Sequence, residues 1–208
     1  MFGTQNIGLY LTSALLLNIT PGQDTIYILG RSASQGTRAG LLSGIGISCG
    51  SAIHTMAAAF GLSALLATSP AAFTIIRLVG AGYLVYLGLH MWLERSATPK
   101  EIAGFQPANS WTIFRSGLFT NVLNPKVALF FLAFIPQFVS PEAESKIFAF
   151  LFLGALFITT GTLWGAFLAV AAARVSHRLR SGGSAGGVIR RLTATVFVGL
   201  GIKLALSK

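Results

Sequence analysis

Residues 1–23, 39–76 and 147–173 of this chain contain no Asp, Glu, Lys or Arg. A helix needs about 20 mostly apolar residues to cross a hydrocarbon core roughly 30 Å thick, so each run is long enough to span one. In lipid every backbone N–H and C=O must find its partner within the protein, which leaves helices and closed barrels as the only spanning structures. These runs lack the period-2 alternation of barrel strands, so the chain is expected to be helical. Charged residues make up only 10% of the sequence and mean hydropathy is +0.73, where soluble domains carry about 25% charge. A water-soluble globule is excluded.

Apolar windows and their polar breaks predict six spans, at residues 7–29, 39–66, 72–92, 113–138, 147–173 and 188–206. The sixth is the weakest pattern, with 11 uncharged residues between Arg191 and Lys203; its cations must snorkel to the interfaces. Residues 1–6 have no positive charge, so the first run reads as a retained helix and not a cleaved signal. The chain is then an all-α membrane protein with one polytopic domain over residues 1–208. Its two three-span halves, about 1–95 and 110–208, are joined by a loop.

The cations set the orientation. Fifteen Lys and Arg against five Asp and Glu give a net charge of +10, but these cations punctuate apolar runs and are not gathered on one solvated face as a nucleic-acid reader requires. No nucleic-acid partner is expected. The first, third and fifth loops hold ten cations, among them Arg31, Arg38, Arg95, Lys100 and the cluster Arg174 to Arg191; the other side holds four, Arg77, Lys146, Lys203 and Lys208. By the positive-inside rule the odd loops are cytoplasmic and both termini face outward. The glycine-rich stretch 181–187, set among arginines, reads as a flexible segment against an anionic leaflet.

Small residues recur every four positions in the second span: Gly36, Gly40, Gly44, Ser48 and Ala52, and again Gly46, Gly50, His54 and Ala58. Such stripes let helices approach closely, so this helix is expected at the centre, packed on both sides. Gly161 and Gly165 form a shorter stripe in the fifth span. These stripes serve contacts within the chain, a homo-oligomer, or both. The lone Cys49 has no partner for an intrachain disulfide and reads as a packing residue.

Two spans break the rules of helices at membrane depth. Asn18-Ile-Thr20-Pro21-Gly22-Gln23-Asp24 sets a proline, a glycine and a carboxylate just past the centre of the first, and Asn121-Val-Leu-Asn124-Pro125-Lys126 does the like in the fourth. Pro21 has no N–H for the carbonyl of Leu17, and Pro125 none for that of Asn121, so a kink or break with freed carbonyls is predicted at both. One interruption in each half of a three-plus-three chain suggests inverted repeats, the arrangement of many secondary transporters. Superposing Pro21 on Pro125 pairs Thr20 with Asn124.

Asp24, His54 and Lys126 share the predicted midplane. An ion there costs roughly 2.5–3.5 kcal/mol, so such groups face one another or a pathway. Asp24 and Lys126 either pair or flank a small zwitterion, with Asp24 near its ammonium and Lys126, with helix N-termini, near its carboxylate. His54 reads equally as a proton relay or a hydrogen-bonded packing residue. Trp164 sits mid-span, where it packs or lines a cavity. The aromatic run Phe130 to Phe138 reads as a lipid or packing surface.

Together the Asn18–Ser32 segment, Gly36-Thr-Arg-Ala-Gly-Leu41, His54, Ala81-Gly-Tyr-Leu-Val-Tyr-Leu-Gly88 and the Phe119–Phe138 segment resemble the LysE/RhtB family of amino-acid exporters along essentially the whole chain. The resemblance implies a six-helix protein of the bacterial inner membrane that exports amino acids or close derivatives on the proton motive force. Carried over by position, its motif residues are Thr20, Pro21, Gly22, Asp24, Asn121, Asn124, Pro125 and Lys126. The family usually has a second proline where this chain has Gln23, which alters the local backbone and offers a polar contact to substrate.

The chain has no Gly-x-x-x-x-Gly-Lys-Ser/Thr loop for ATP, no nucleophile and base arrangement for an enzyme, and no cofactor motif. Three histidines and one cysteine on distant segments make no soft metal site. The expected partners are a small-molecule substrate, protons and the bilayer. With only five acidic residues, a neutral amino acid is favoured slightly over a basic one. A metal or metabolite exporter and an intramembrane scaffold are the alternatives.

Overall fold

The computed structural model describes residues 2–69 and 105–175, with scattered helical positions between 71 and 89. Most of the predicted span 72–92, all of the span 188–206 and the glycine-rich stretch 181–187 lie outside the described residues. Helix α1 is Ile7–Ile19, α2 Gln23–Gln35 and α3 Thr37–Ala57, which continues through a π-helical turn, Ala58–Leu62, into α4, Ser63–Thr68. Helix α5 is Ser110–Val122; α6, Pro125–Leu129, continues as a π-helical turn, Phe130–Phe134, and a 3-10 turn, Ile135–Phe138; α7 is Lys146–Val175. Among the described residues there is no strand, and one isolated antiparallel bridge joins Thr4 to Val139.

Among the described residues, two helices are long and apolar enough to cross a membrane, Thr37–Leu65 and Lys146–Arg174, and the pair Ser110–Val122 and Pro125–Phe138, bent by 47°, adds a third if it counts as one span. The chain is therefore an all-helical, multi-pass membrane protein. Its exposed Phe148, Leu163 and Phe167 are what a lipid-facing surface requires.

The first predicted span, 7–29, is two helices, and the second runs on to Gln35. Thr20 is extended (φ −60°, ψ 122°), as the residue before a proline prefers, and Gly22 is extended as the N-cap of α2. Arg31, assigned from sequence to a loop, lies inside α2 and is buried. The helix tolerates it because three hydrogen bonds and two ring faces hold the guanidinium. Its Nε donates to the Tyr27 hydroxyl (3.3 Å) and its Nη1 to Gln35 Oε1 (3.1 Å) and the Gln106 carbonyl (2.8 Å). It also lies over the Tyr27 and Phe105 rings, 5.4 and 5.2 Å from their centroids, where ring quadrupoles attract a cation. The turn to α3 is a single residue, Gly36, whose φ of 81° is a conformation glycine adopts without cost.

Helix α3 is the central element, packed against α5 on one side and α7 on the other. The small residues make this possible. A Cβ on Gly46 would meet the Phe114 carbonyl and the Leu118 amide of α5, one on Gly117 the Ser43 carbonyl, and one on Gly40 the Ala169 side chain of α7. Gly44 has nothing within 4 Å, so the stripe is not uniformly a contact. Because its neighbours are backbone atoms, Gly46→Ala is expected to push α3 and α5 apart and to destabilise the protein by about 1–3 kcal/mol. A melting curve of the purified variant in detergent measures this; Gly44→Ala is the neutral control.

The aromatic run of the fourth span is core and not lipid surface. Phe130, Phe131, Phe134 and Phe138 are buried with Tyr10, Leu17, Phe150 and Phe157, leaving Leu132 exposed. The Tyr10 hydroxyl donates to the Leu153 carbonyl at 2.6 Å. This cluster ties α1, the chain after Pro125 and α7 into one body, so both breaks are held at fixed positions on its flank.

Candidate transport site

The first break is closed from the far side of the chain. Lys126 Nζ donates to the carbonyl of Leu17 (3.2 Å), the one Pro21 leaves without a partner, and to that of Thr20 (3.1 Å). A cation at the carbonyl end of α1 meets the negative pole of the helix, and Asp24 in the first turn of α2 meets a positive one. Gly22 leaves room for the ammonium, since a Cβ there would lie 3.2 Å from Nζ. The Lys126 ammonium thus sits in the break, between the carbonyl end of α1 and Gly22, the N-cap of α2.

The second break is closed from the first half. Asn124 caps α6 by accepting the Lys126 amide through Oδ1 (3.0 Å), with Pro125 at the first helical position, where its missing N–H costs nothing. The Asn121 carbonyl, denied its i+4 donor by Pro125, accepts the Asn124 amide at 3.0 Å and lies 3.2 Å from His54 Nε2. A carbonyl only accepts, so this nitrogen carries a proton. The His54 ring also stacks on Phe131, with centroids 5.6 Å apart. His54 thus adds a second contact to this carbonyl and stacks on a core ring.

Asn121 links the two breaks. Its Nδ2 donates to Asp24 Oδ2 at 2.8 Å and its Oδ1 accepts from the Ser51 hydroxyl at 3.2 Å. Gly50 permits this approach, because a Cβ there would stand 2.8 Å from Asn121 Cβ and Oδ1. The hydrogen bonds of Asp24 and Lys126 thus go to other groups, not to each other.

These residues border a cavity of about 40 Å³, room for about three waters. Asn18, Asp24, Ser48, Ser51, Asn121 and Lys126 line it together with the apolar Leu17, Ile28, Ile47 and Val127, and α7 contributes Phe157, Ile158, Thr162, Trp164 and Leu168 around Gly161 and Gly165. Asn18 reaches across to α7 and donates to Thr160 Oγ1 at 3.0 Å. Two polar atoms on the lining residues are buried without a hydrogen-bond partner among the described residues: Asp24 Oδ1 and Trp164 Nε1. Each such group costs about 1–3 kcal/mol, more when charged.

Of the residues singled out in the sequence, the cavity takes in Asn18, Asp24, Asn121, Lys126 and Trp164. Thr20 is buried behind it, its hydroxyl donating to the Leu16 carbonyl. Pro21, Gly22, Asn124, Pro125 and His54 shape the breaks without lining it. Gln23 is exposed on a separate open groove with Tyr27, Arg115 and Phe119. Ser48, Ser51 and Thr162 line the cavity and were not anticipated as site residues. The signal for the two serines was their place at i and i+3 beside the glycine stripe of α3, which reads first as packing.

Two discontinuous helices closing on one polar pocket at membrane depth define the class of a multi-pass membrane transporter. The chain belongs to the LysE type translocator family, whose model matches residues 15–208. It is similar to the leucine efflux protein of Salmonella choleraesuis (strain SC-B67), with 30% identity over 205 residues, covering 98% of this chain and 96% of that protein. A leucine efflux protein of Enterobacter sp. (strain 638) is 29% identical over 206 residues, 98% and 97% of the two chains. An uncharacterized membrane protein of Vibrio cholerae serotype O1 is 31% identical over 199 residues, 96% of each. No solved structure matches significantly. The protein is a transporter and not an enzyme.

Proposed function

We propose that this protein exports a neutral amino acid, of which leucine is the first candidate, across the bacterial inner membrane in exchange for protons. The observation that carries the reading is the cavity between the breaks, whose lining combines a carboxylate and an ammonium with aliphatic and aromatic side chains. That pattern complements a zwitterionic head and an apolar side chain. Leucine efflux relatives at about 30% identity favour the same substrate.

The mechanism follows from one carboxylate serving two cations. Asp24 faces the substrate ammonium, and Lys126 supplies positive charge on the carboxylate's side. On the outer side a proton neutralises Asp24 and releases the ammonium; on the inner side the proton leaves and Asp24 takes the next substrate. Exchange then needs no further coupling group. The moving parts are six spans arranged as two inverted halves, with the odd loops cytoplasmic and both termini periplasmic, which present the cavity to each side in turn. Support for two coupled halves is that a side chain from each half reaches a carbonyl at the other's break, Lys126 at Leu17 and His54 at Asn121. A cavity of about 40 Å³ is well below the hundreds of Å³ of a typical ligand site, so it widens on loading. No observation favours the metal-cation or scaffold reading.

Efflux of labelled amino acids from vesicles holding the purified chain, with and without an imposed proton gradient, tests this. Gradient-dependent movement of leucine or another neutral amino acid is expected. Tight vesicles with folded protein that move none would overturn it.

A further inference from the structure

We propose that the indole N–H of Trp164 is the direct hydrogen-bond donor to the substrate carboxylate, opposite Asp24 Oδ1 as the acceptor for its ammonium. This rests on the amino-acid exporter reading and deepens it. Both atoms are buried, unpartnered among the described residues and carried by residues that line the same cavity. One is an acceptor only and the other a donor only, which is the pair a zwitterion matches. Buried polar groups in native proteins nearly always have partners, so an unpaired one needs a reason; here the partner is the ligand that widens the cavity.

Most of the cavity's other polar side chains are already engaged, the Thr25 hydroxyl being an exception. Lys126 spends two of its three donors on the Leu17 and Thr20 carbonyls, Asn121 spends its amide on Asp24 and Ser51, and Asn18 donates to Thr160. Lys126 then acts on the carboxylate from behind, through its charge. Gly161, one turn before Trp164, and Gly165, next to it, let Asn18 and Ile28 close on this face of α7, where an added Cβ would stand 3.2 Å from Asn18 Oδ1 and 3.1 Å from Ile28 Cδ1.

The test compares L-leucine with isoamylamine, the same molecule without its carboxylate. Trp164→Phe keeps the ring and removes the N–H; it is expected to weaken leucine binding about 10- to 100-fold, the range for a hydrogen bond to a charged group, and to leave isoamylamine binding within about twofold. In the wild-type protein the Trp164 indole N–H resonance, assigned by elimination with Trp92→Phe and Trp111→Phe, is expected to move downfield with leucine and stay in place with isoamylamine. That second measurement stands even if Trp164→Phe fails to fold. Equal weakening of both ligands, or an indole resonance that ignores bound leucine, overturns the inference while leaving the exporter reading intact. Wild-type protein that binds no neutral amino acid overturns the exporter reading, and this inference with it.

Discussion

Lys126→Met is expected to cost the fold about 2–6 kcal/mol and to abolish transport. The substitution keeps the length and apolar stem of the side chain but strands the Leu17 and Thr20 carbonyls, which Nζ holds at 3.2 and 3.1 Å. A buried carbonyl without a donor loses about 1–3 kcal/mol, and two are lost together. The negative pole of α1 also loses its cation. Thermal melts in detergent read the stability loss. Lys126→Arg, which retains charge and donors, is expected to recover part of it. A Lys126→Met protein as stable as wild type would mean that the first break is satisfied in some other way.

Asp24→Asn is expected to do the opposite, leaving the fold nearly intact while uncoupling transport from the proton gradient. The new amide oxygen still accepts from Asn121 Nδ2, which now donates to Asp24 Oδ2 at 2.8 Å, so stability shifts by no more than about 1 kcal/mol. Removal of the charge ends competition between proton and substrate ammonium. Substrate binding is expected to fall about 10- to 100-fold, the worth of a charge-assisted hydrogen bond, and the residual flux to lose its dependence on pH. Vesicle efflux at fixed membrane potential and varied external pH measures both. Gradient-driven, pH-dependent efflux in Asp24→Asn would remove this residue from the coupling step.

The two substitutions separate roles that the sequence leaves merged. Opposite charges on two broken spans are visible in the sequence, as are the carbonyls that Pro21 and Pro125 must free, because proline's missing N–H is a local property. The groups that satisfy those carbonyls depend on how distant segments pack. Lys126 reaches the first break over 109 residues and His54 the second over 67, and periodicity carries no such information. The same limit applies to Arg31, which reads as a loop cation until the Tyr27 and Phe105 rings and the Gln106 carbonyl are seen around it. The π-helical turns at Ala58–Leu62 and Phe130–Phe134 leave no composition signal in an apolar run. Gln23 is an instructive case: its place where the family usually has a second proline suggested a polar contact to substrate, yet it lines a separate open groove and not the cavity. Ser48 and Ser51 are small enough to look like packing, and they also border the cavity.

The substrate is expected to pass through the cavity bounded by the two breaks. The most direct measurement places a single thiol on its wall by Ser51→Cys, nearly isosteric and buried beside Asn121, in a Cys49→Ser background that removes the chain's one native thiol. Modification by a small water-soluble thiol reagent is followed in vesicles, with and without a saturating amount of the amino acid that the efflux panel identifies. The prediction is slow modification as the cavity opens and protection by that amino acid, with no protection by one that is not transported. A thiol that never reacts, or one that reacts at the same rate with substrate present, would contradict a pathway through this cavity.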